Sequence, residues 1–463
     1  MLLLGRIVAA LISGALLAQA YSLNPFWPLA WVAPIPLLIA AIGASRVSAF
    51  AYGAIAGVVS MALMLGYLLE LAGMAPVLVI TLTRAVIWGA IASAVRGAAR
   101  LLPAWAAVFV FPASLAGIDT LIAASSPHGS AGALAYSQMD LIPAIQIASL
   151  GGAPAITFVV TLFGSSVAFL IAKRAFFAAL GPALIVAAAL AFGYGRIDAA
   201  PPSDQTLQAT LLAGDQFEGV SEDWRSVWNA YTPQIERAAD DGRRILLLPE
   251  KIAHLPPGDR AAAIEQLAEI ARRRDVLIVV GVDDEAEAGR FNRAFAFSGD
   301  DWLSYDKRHV IPGFESHFDL GIAPLVFEHE GVRYGVAICK DMDFPNLGRD
   351  YAGADVVLAP AWDFSADAWL HSRMAVLRGV ESGYAIARSA RNGVLTVSDA
   401  YGRVLQEAPS GPQTAYNVSI PAEAGVATLY ARIGDAFGWS MLGLAALLVG
   451  WTIRARRRAG QGD

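Results

Sequence analysis

Along the first 195 residues apolar positions run almost unbroken. The charged ones are sparse: Arg6, Arg46, Glu70, Arg84, Arg96, Arg100, Asp119, Asp140, Lys173 and Arg174. Between them lie stretches long enough to cross a bilayer, which takes about 20 residues of helix. The pattern predicts seven such helices, over 5–22, 27–44, 49–69, 75–95, 101–123, 153–172 and 176–194. From about 197 to 431 the pattern changes to short apolar runs alternating with amphipathic stretches. Runs at 207–212, 244–249, 276–281, 334–339 and 355–360 read as buried strands. Helical patterns cover 224–239, 259–273 and 371–382. Runs 384–389 and 393–398 read as an antiparallel pair, followed by a turn at 401–404 into a return strand. An eighth apolar stretch, 437–453, precedes Arg454, Arg456, Arg457 and Arg458. The predicted architecture is an α-helical membrane bundle of about eight spans plus an α/β domain with a covered sheet. The boundaries are 1–195 for the seven-helix membrane domain, 196–434 for the α/β domain, and 435–463 for the last helix and basic tail.

Composition agrees with this division. The chain is 56% hydrophobic and 16% charged, where ordinary soluble domains are about 45–50% apolar and about 25% charged. A disordered chain and a plain cytosolic enzyme are excluded. A formal net charge of −6 lacks the basic face a nucleic-acid partner requires. Short cytoplasmic loops collect Lys and Arg. With Arg6 inside, the returning loops hold Arg46, then Arg96 and Arg100, then Lys173 and Arg174, and the C-terminal arginines fall inside too. The opposite loops, 21–26, 70–74 and 124–152, carry neither Lys nor Arg. This places the α/β domain outside the cytoplasmic membrane, between the seventh and eighth spans of a multi-pass protein. The first apolar run, ending in Ala18-Gln19-Ala20, also has the pattern of a signal peptide. A retained helix fits the charge arrangement, which needs an odd number of spans before the large domain. Loop 124–152 reads either as a surface or re-entrant loop packed on the bundle, or as a wall of a lipid-facing cavity.

Three polar residues stand where apolar runs stop: Glu250 after Leu246-Leu247-Leu248-Pro249, Lys307 after Trp302-Leu303-Ser304-Tyr305, and Cys339 after Val336-Ala337-Ile338. In open α/β sheets, ligands bind beyond the carboxyl ends of strands. A carboxylate, an ammonium and a thiol gathered there form a nucleophilic site, in which the base takes the thiol proton and the cation steadies thiolate and oxyanion. Each residue alone also has a bland reading. Cys339, the single cysteine, is chemically apt core filler, and Glu250 with Lys251 beside it reads as a surface ion pair. The three in this order carry the functional reading.

Order and context resemble the nitrilase (carbon–nitrogen hydrolase) superfamily. The matching motifs are Leu248-Pro249-Glu250, Tyr305-Asp306-Lys307-Arg308-His309, and Ile338-Cys339 with Asp341 and Phe344-Pro345 behind. Ala359-Pro360-Ala361-Trp362-Asp363, Arg378 to Glu381, and Arg391-Asn392-Gly393 add to the likeness. With its membrane helices the whole chain resembles the apolipoprotein N-acyltransferase family. Asn24 to Trp31, Ala135 to Gln138, and Gly151 to Pro154 match that family's membrane and loop motifs.

The resemblance implies an αββα sandwich inserted before the last of eight spans, on the periplasmic side of the bacterial cytoplasmic (inner) membrane, and an acyltransferase that passes an acyl chain from a phospholipid, through a cysteine thioester, to the N-terminal amine of a diacylglyceryl-cysteine lipoprotein. Cys339 is then the nucleophile, Glu250 the general base and Lys307 the stabiliser of thiolate and oxyanion, with the Lys340 N–H as a second oxyanion donor. Glu315 matches a second essential glutamate, and either it or Glu250 deprotonates the incoming amine. Trp224 is the first candidate for a substrate arm, ahead of Trp228. Partners are the phospholipid donor, the diacylated lipoprotein and membrane lipid, and neither metal nor organic cofactor is called for. The chain departs from the family at Lys340-Asp341, where Tyr-Glu is usual, at Pro312-Gly313-Phe314-Glu315, and at Leu248. Those changes keep open an alternative, a membrane-anchored nitrilase-family amidase or acyltransferase acting on a different amine or amide.

Overall fold

The computed structural model describes residues 2–201, 205–299, 301–422 and 425–459. The chain forms two compact units. One comprises 1–124, 132–199 and 433–463, and the other 125–131 and 200–432.

In the first unit, six helices among the described residues are long and apolar enough to cross a bilayer: Leu3–Ala20, Met74–Leu101, Ala104–Ser125, Ala148–Lys173, Phe176–Asp198 and Ala436–Ala459. The spans expected over 27–44 and 49–69 are instead the shorter apolar helices Trp27–Ile42 and Arg46–Val59. The first is interrupted at Ala33, ahead of Pro34. The second ends at Ser60, whose hydroxyl bonds back to the Gly57 carbonyl at 2.7 Å. Fourteen helical residues rise about 21 Å, short of a hydrocarbon core of about 30 Å. Helix Arg46–Val59 packs closely on Met74–Leu101. A Cβ at Gly53 would lie 2.3 Å from the Trp88 carbonyl oxygen, and one at Gly57 2.9 Å from that of Arg84. Two glycines one turn apart let the backbones meet where lipid offers no hydrophobic drive.

The described residues of the second unit form thirteen strands: β1 (Thr206–Ala213), β2 (Ile245–Leu247), β3 (His254–Leu255), β4 (Leu277–Ala286), β5 (Gly289–Ser298), β6 (Asp301–Asp306), β7 (Leu325–His329), β8 (Val332–Val336), β9 (Val356–Trp362), β10 (Ala385–Arg391), β11 (Val394–Ser398), β12 (Val404–Pro409) and β13 (Thr414–Pro421). They form two sheets. One has the order β13-β1-β2-β4-β5-β6, with β3 against β4, and the other β12-β11-β10-β9-β8-β7. β1, β2 and β4 run parallel, as do β8, β9 and β10, while β10 and β11 are antiparallel.

The continuous apolar runs follow from burial on both faces. Ala209, Leu211, Ile245, Leu247, Leu277 and Val279 meet Tyr334, Val336, Val356 and Leu358 between the sheets. Their alternate neighbours Leu212, Leu246, Leu248, Ile278 and Val280 face helices Trp224–Asp240 and Arg260–Arg274. Ala337, Val357 and Ile386 pack with Ala375 of helix Ala368–Ser382. The layers are therefore helix, sheet, sheet, helix. Trp224 and Trp228 lie in the outer helix layer, buried and edge to face at 6.2 Å. The expected arm at Trp224 is thus core packing, and its indole N–H donates to Asp259.

Gly281 lets β4 pass against the Glu250 loop. A Cβ there would sit 2.6 Å from the Glu250 Cα and 2.8 Å from the Pro249 carbonyl oxygen. Both obstacles are backbone, so Gly281→Ala should destabilise the unit by about 1–3 kcal/mol. The check is a lowered thermal midpoint together with slowed alkylation or acylation of Cys339.

Candidate active site

Strand ends bring the expected residues together. Glu250 lies three residues past β2, Lys307 directly after β6, and Cys339 three residues past β8. The two sheets thus contribute to one place. The Glu250 N–H donates to the Ala361 carbonyl of β9 at 3.2 Å, tying the β2 loop across to the second sheet. Two turns there use left-handed backbone at residues that are not glycine, Lys251 (φ 48°) and Cys339 (φ 43°). Such conformations cost about 1–2 kcal/mol and concentrate where a side chain must be presented at a sharp turn.

The charges are buried and shared. Lys307 Nζ donates to Glu250 Oε1 at 2.7 Å and to Glu315 Oε2 at 2.8 Å. Asn292, from β5, donates through Nδ2 to Glu250 Oε1 at 2.6 Å and to Glu315 Oε1 at 3.0 Å. The Ile311 N–H reaches Glu315 Oε2 at 2.8 Å. Glu250, Glu315 and Lys307 are each 1% exposed. Burial opposes charge on all of them. Lys307 nevertheless keeps its proton well above its ordinary range because both glutamates face it. The Lys307 and Lys251 ammoniums hold the Glu315 carboxyl down at about 2. Lys251 is not the surface partner its sequence position suggests. It is buried, donates to Glu315 Oε1 and lies 3.9 Å from Glu250 Oε1.

The Cys339 thiol points its S–H at the Trp362 carbonyl at 3.5 Å. Burial and the Glu250 charge push the thiol well up, while Lys307 and Arg388 pull it down. Arg388 is itself held by Asp363 in a two-pronged buried pair, with Nη1 to Oδ2 at 2.9 Å. The resting thiol is therefore protonated at neutral pH and depends on a base.

Asp341 and Lys340 part company. Asp341 is fully buried and pins the Cys339 turn to the Lys307 loop. Its Oδ2 accepts from Tyr305 Oη (2.8 Å) and the Ile338 N–H (3.1 Å), and its Oδ1 from the N–H groups of Arg308 (3.2 Å) and His309 (3.0 Å). Burial lifts this carboxyl to about 6, against the pull of Lys307 and these bonds. Lys340 turns elsewhere, with Nζ 3.2 Å from His128 Nδ1 and 3.9 Å from Asp343 Oδ2. His128 belongs to segment 125–131, part of the loop whose role the sequence left open. Ser130 of that segment donates through N–H and hydroxyl to the Asp343 carbonyl, at 2.9 and 2.7 Å. His371 bridges Asp343 and Asp367 at 3.4 and 3.2 Å. Burial works against its charge, but those carboxylates raise it well above the ordinary histidine range. Among the described residues no three His, Cys, Asp or Glu side chains are grouped to hold a metal.

Sequence reasoning did not single out Asn292, the inward role of Lys251, the Asp363–Arg388 pair or His128. Asn292 sits between Phe291 and Arg293 on β5, with no local mark to distinguish it, and its partners Glu250 and Glu315 lie 42 and 23 positions away. The others depend on partners tens to hundreds of residues away.

Two family models match the chain: "Apolipoprotein N-acyltransferase N-terminal domain" over residues 13–166 and "Carbon-nitrogen hydrolase" over 223–425. An apolipoprotein N-acyltransferase of Geobacter metallireducens is 25% identical, covering 96% of this chain and 95% of its own. One of Gloeobacter violaceus is also 25% identical, covering 98% and 95%. Among solved structures, XC1258 from Xanthomonas campestris, a CN-hydrolase superfamily protein, is 21% identical. That match covers 52% of this chain and 97% of the other, with a TM-score of 0.42.

Asn at position 341 keeps one acceptor oxygen and turns an NH2 toward a donor. Asp341→Asn should therefore strand a buried N–H and cost about 1–3 kcal/mol, whereas Tyr305→Phe, which removes one hydroxyl, should cost about 1 kcal/mol. Thermal unfolding of the detergent-solubilised variants checks the order, and equal losses would refute the pin.

Proposed function

Since the chain belongs to the apolipoprotein N-acyltransferase family, within the carbon–nitrogen hydrolase superfamily, we propose that it transfers an acyl chain from a membrane phospholipid to the N-terminal amine of diacylglyceryl-cysteine lipoproteins, with Cys339, Glu250 and Lys307 performing the chemistry. The observation that carries this reading is the buried contact of Glu250 with Lys307 beside the single thiol, in a chain whose described residues also include six long apolar helices.

Glu250 takes the Cys339 proton, and the thiolate sulfur attacks the ester carbonyl of the phospholipid. The oxyanion rests on the Lys307 ammonium and the Lys340 N–H, positioned donors of the kind worth about 3–4 kcal/mol each. The tetrahedral intermediate collapses, the C–O bond breaks, and the lysophospholipid leaves with the proton held by Glu250. The acceptor amine then attacks the thioester carbonyl and gives its proton to Glu250. As the C–S bond breaks an amide forms, and the proton returns to the Cys339 sulfur. Glu250 serves as base in both halves. Its Oε1 is occupied by Lys307 and Asn292, and no side chain of the described residues donates to its Oε2. Glu315, with both oxygens taken by donors, fixes Lys307 instead of moving protons.

The departures at Lys340-Asp341 bear less on the acceptor than their sequence position suggests. All the donors that meet Asp341 belong to the pin of the nucleophile turn, and Lys340 is engaged by His128 and Asp343. The charge pattern of the short loops supports a catalytic domain on the periplasmic side of the inner membrane, within domain limits of 1–195, 196–434 and 435–463.

Intact-mass spectrometry after incubation with phospholipid tests the proposal. The expected result is a gain of one fatty acyl chain, absent in Cys339→Ala and reduced at least 100-fold in rate in Glu250→Gln, a loss on the order expected for a general base. A synthetic diacylglyceryl-cysteine peptide should discharge it. An adduct that the peptide leaves in place would mean another acceptor, and no adduct would favour amide hydrolysis.

A further inference from the structure

We propose that Lys251 is a positioning residue of the active site: by neutralising Glu315 it leaves Lys307 to serve Glu250 and the Cys339 thiolate. This rests on Cys339 being the nucleophile and goes beyond the Glu-Lys-Cys set. Lys307 contacts both glutamates, at 2.7 and 2.8 Å. One ammonium shared by two buried carboxylates leaves a net charge of −1, and a thiolate formed there would face it. Lys251 removes that excess. Its ammonium donates to Glu315 Oε1 and lies 3.9 Å from Glu250, so the four side chains sum to zero.

Among the described residues, the carboxylates within 4 Å of the Lys251 ammonium are those of Glu315 and Glu250. Its ammonium lies 5.3 Å from the Trp362 ring centroid and 5.8 Å from that of Phe318, faces that favour a cation without competing for its hydrogen bonds. The backbone is turned into the left-handed region at this residue, which asparagine or glycine would occupy at less cost. The lysine is held there by what its side chain does. The other charges are accounted for as well. Cys339 is faced by Glu250, Lys307, Asp363 and Arg388, and the last two satisfy each other. Arg391 acts on Glu250 from β10 but spends its hydrogen bonds on the carbonyls of Gly219 and Phe217. Among the described residues, the cations that act on Glu315 are Lys307 and Lys251.

The consequence is readable without any lipid. Cys339 is the sole cysteine, so iodoacetamide alkylation followed by intact mass reports its thiolate alone across pH. Removing a cation disfavours the anions near it, and an opposite charge within about 4–6 Å shifts a titration by 1–3 units. In Lys251→Met the alkylation midpoint should move up by about one pH unit, which is about tenfold slower reaction below the midpoint. Lys251→Arg, which keeps the charge, should hold the wild-type midpoint. The double variant Lys251→Met/Glu315→Gln, neutral again, should return toward it even though Glu315→Gln disturbs the site on its own. A Lys251→Met profile overlying the wild type would overturn the proposal, as would a double variant shifted as far as the single one. The double variant also decides the matter if Lys251→Met proves unstable. Failure of the acyl-transfer reading would appear separately, as no phospholipid adduct on a wild-type enzyme that still alkylates.

Discussion

Glu250 and Glu315 lie side by side with only 1% of either exposed, and an ion removed from water costs several kcal/mol unless its charge is met. Much of the catalytic unit answers that constraint. β5 supplies Asn292, the end of β6 supplies Lys307, the turn after Glu250 supplies Lys251, and the loop before Glu315 supplies the Ile311 N–H. Four segments of the first sheet and its connections converge because each brings a donor. The second sheet brings the thiol, and with it the Asp363–Arg388 pair, which is self-neutralising and so adds little net charge to the site. Breaking one partner of such a set leaves an uncompensated buried charge, worth about 3–5 kcal/mol. Reactivity and stability therefore draw on the same contacts.

The strands that carry the site were legible because their signal is local. A run such as Leu246-Leu247-Leu248 has no polar face, and burial between a helix layer and a second sheet is what that implies. Glu250, Lys307 and Cys339 were legible for the same reason, each being the polar break that ends a run. Lys251 was misread because adjacency to Glu250 was its visible feature, while its partner, Glu315, is 64 positions away. His128 was invisible as a neighbour of Lys340, 212 positions away. Trp224 had the opposite fate. Its place ahead of the Glu250 strand suggested an exposed arm, yet the amphipathic helix it begins turns it inward beside Trp228.

Span counting met a different limit. Hydropathy measures how apolar a stretch is and is blind to where its helix stops. The stretch 49–69 is apolar throughout, but Ser60 bonds back to Gly57 and the helix ends at Val59. Short polar side chains offer the backbone this alternative partner, and a composition window averages it away. The two glycines that seat this helix on Met74–Leu101 were likewise only small apolar positions until their neighbours were known.

The thiol itself explains why the proposed reaction needs a base. A cysteine can be activated by lowering its pKa or by placing an acceptor for its proton. Here burial and Glu250 push the thiol up, against the pull of Lys307 and Arg388. The first route is therefore closed in the resting site, and a standing thiolate would have to coexist with two ionised glutamates. Proton transfer to Glu250 changes that arithmetic. It removes one negative charge as it creates another, so the total is unchanged while the charge moves onto sulfur. A neutral starting set makes this exchange possible without importing charge into a closed space. The site is thus set to form a thiolate together with a protonated Glu250, which under the proposed reaction is the acid that the departing lysophospholipid oxygen requires.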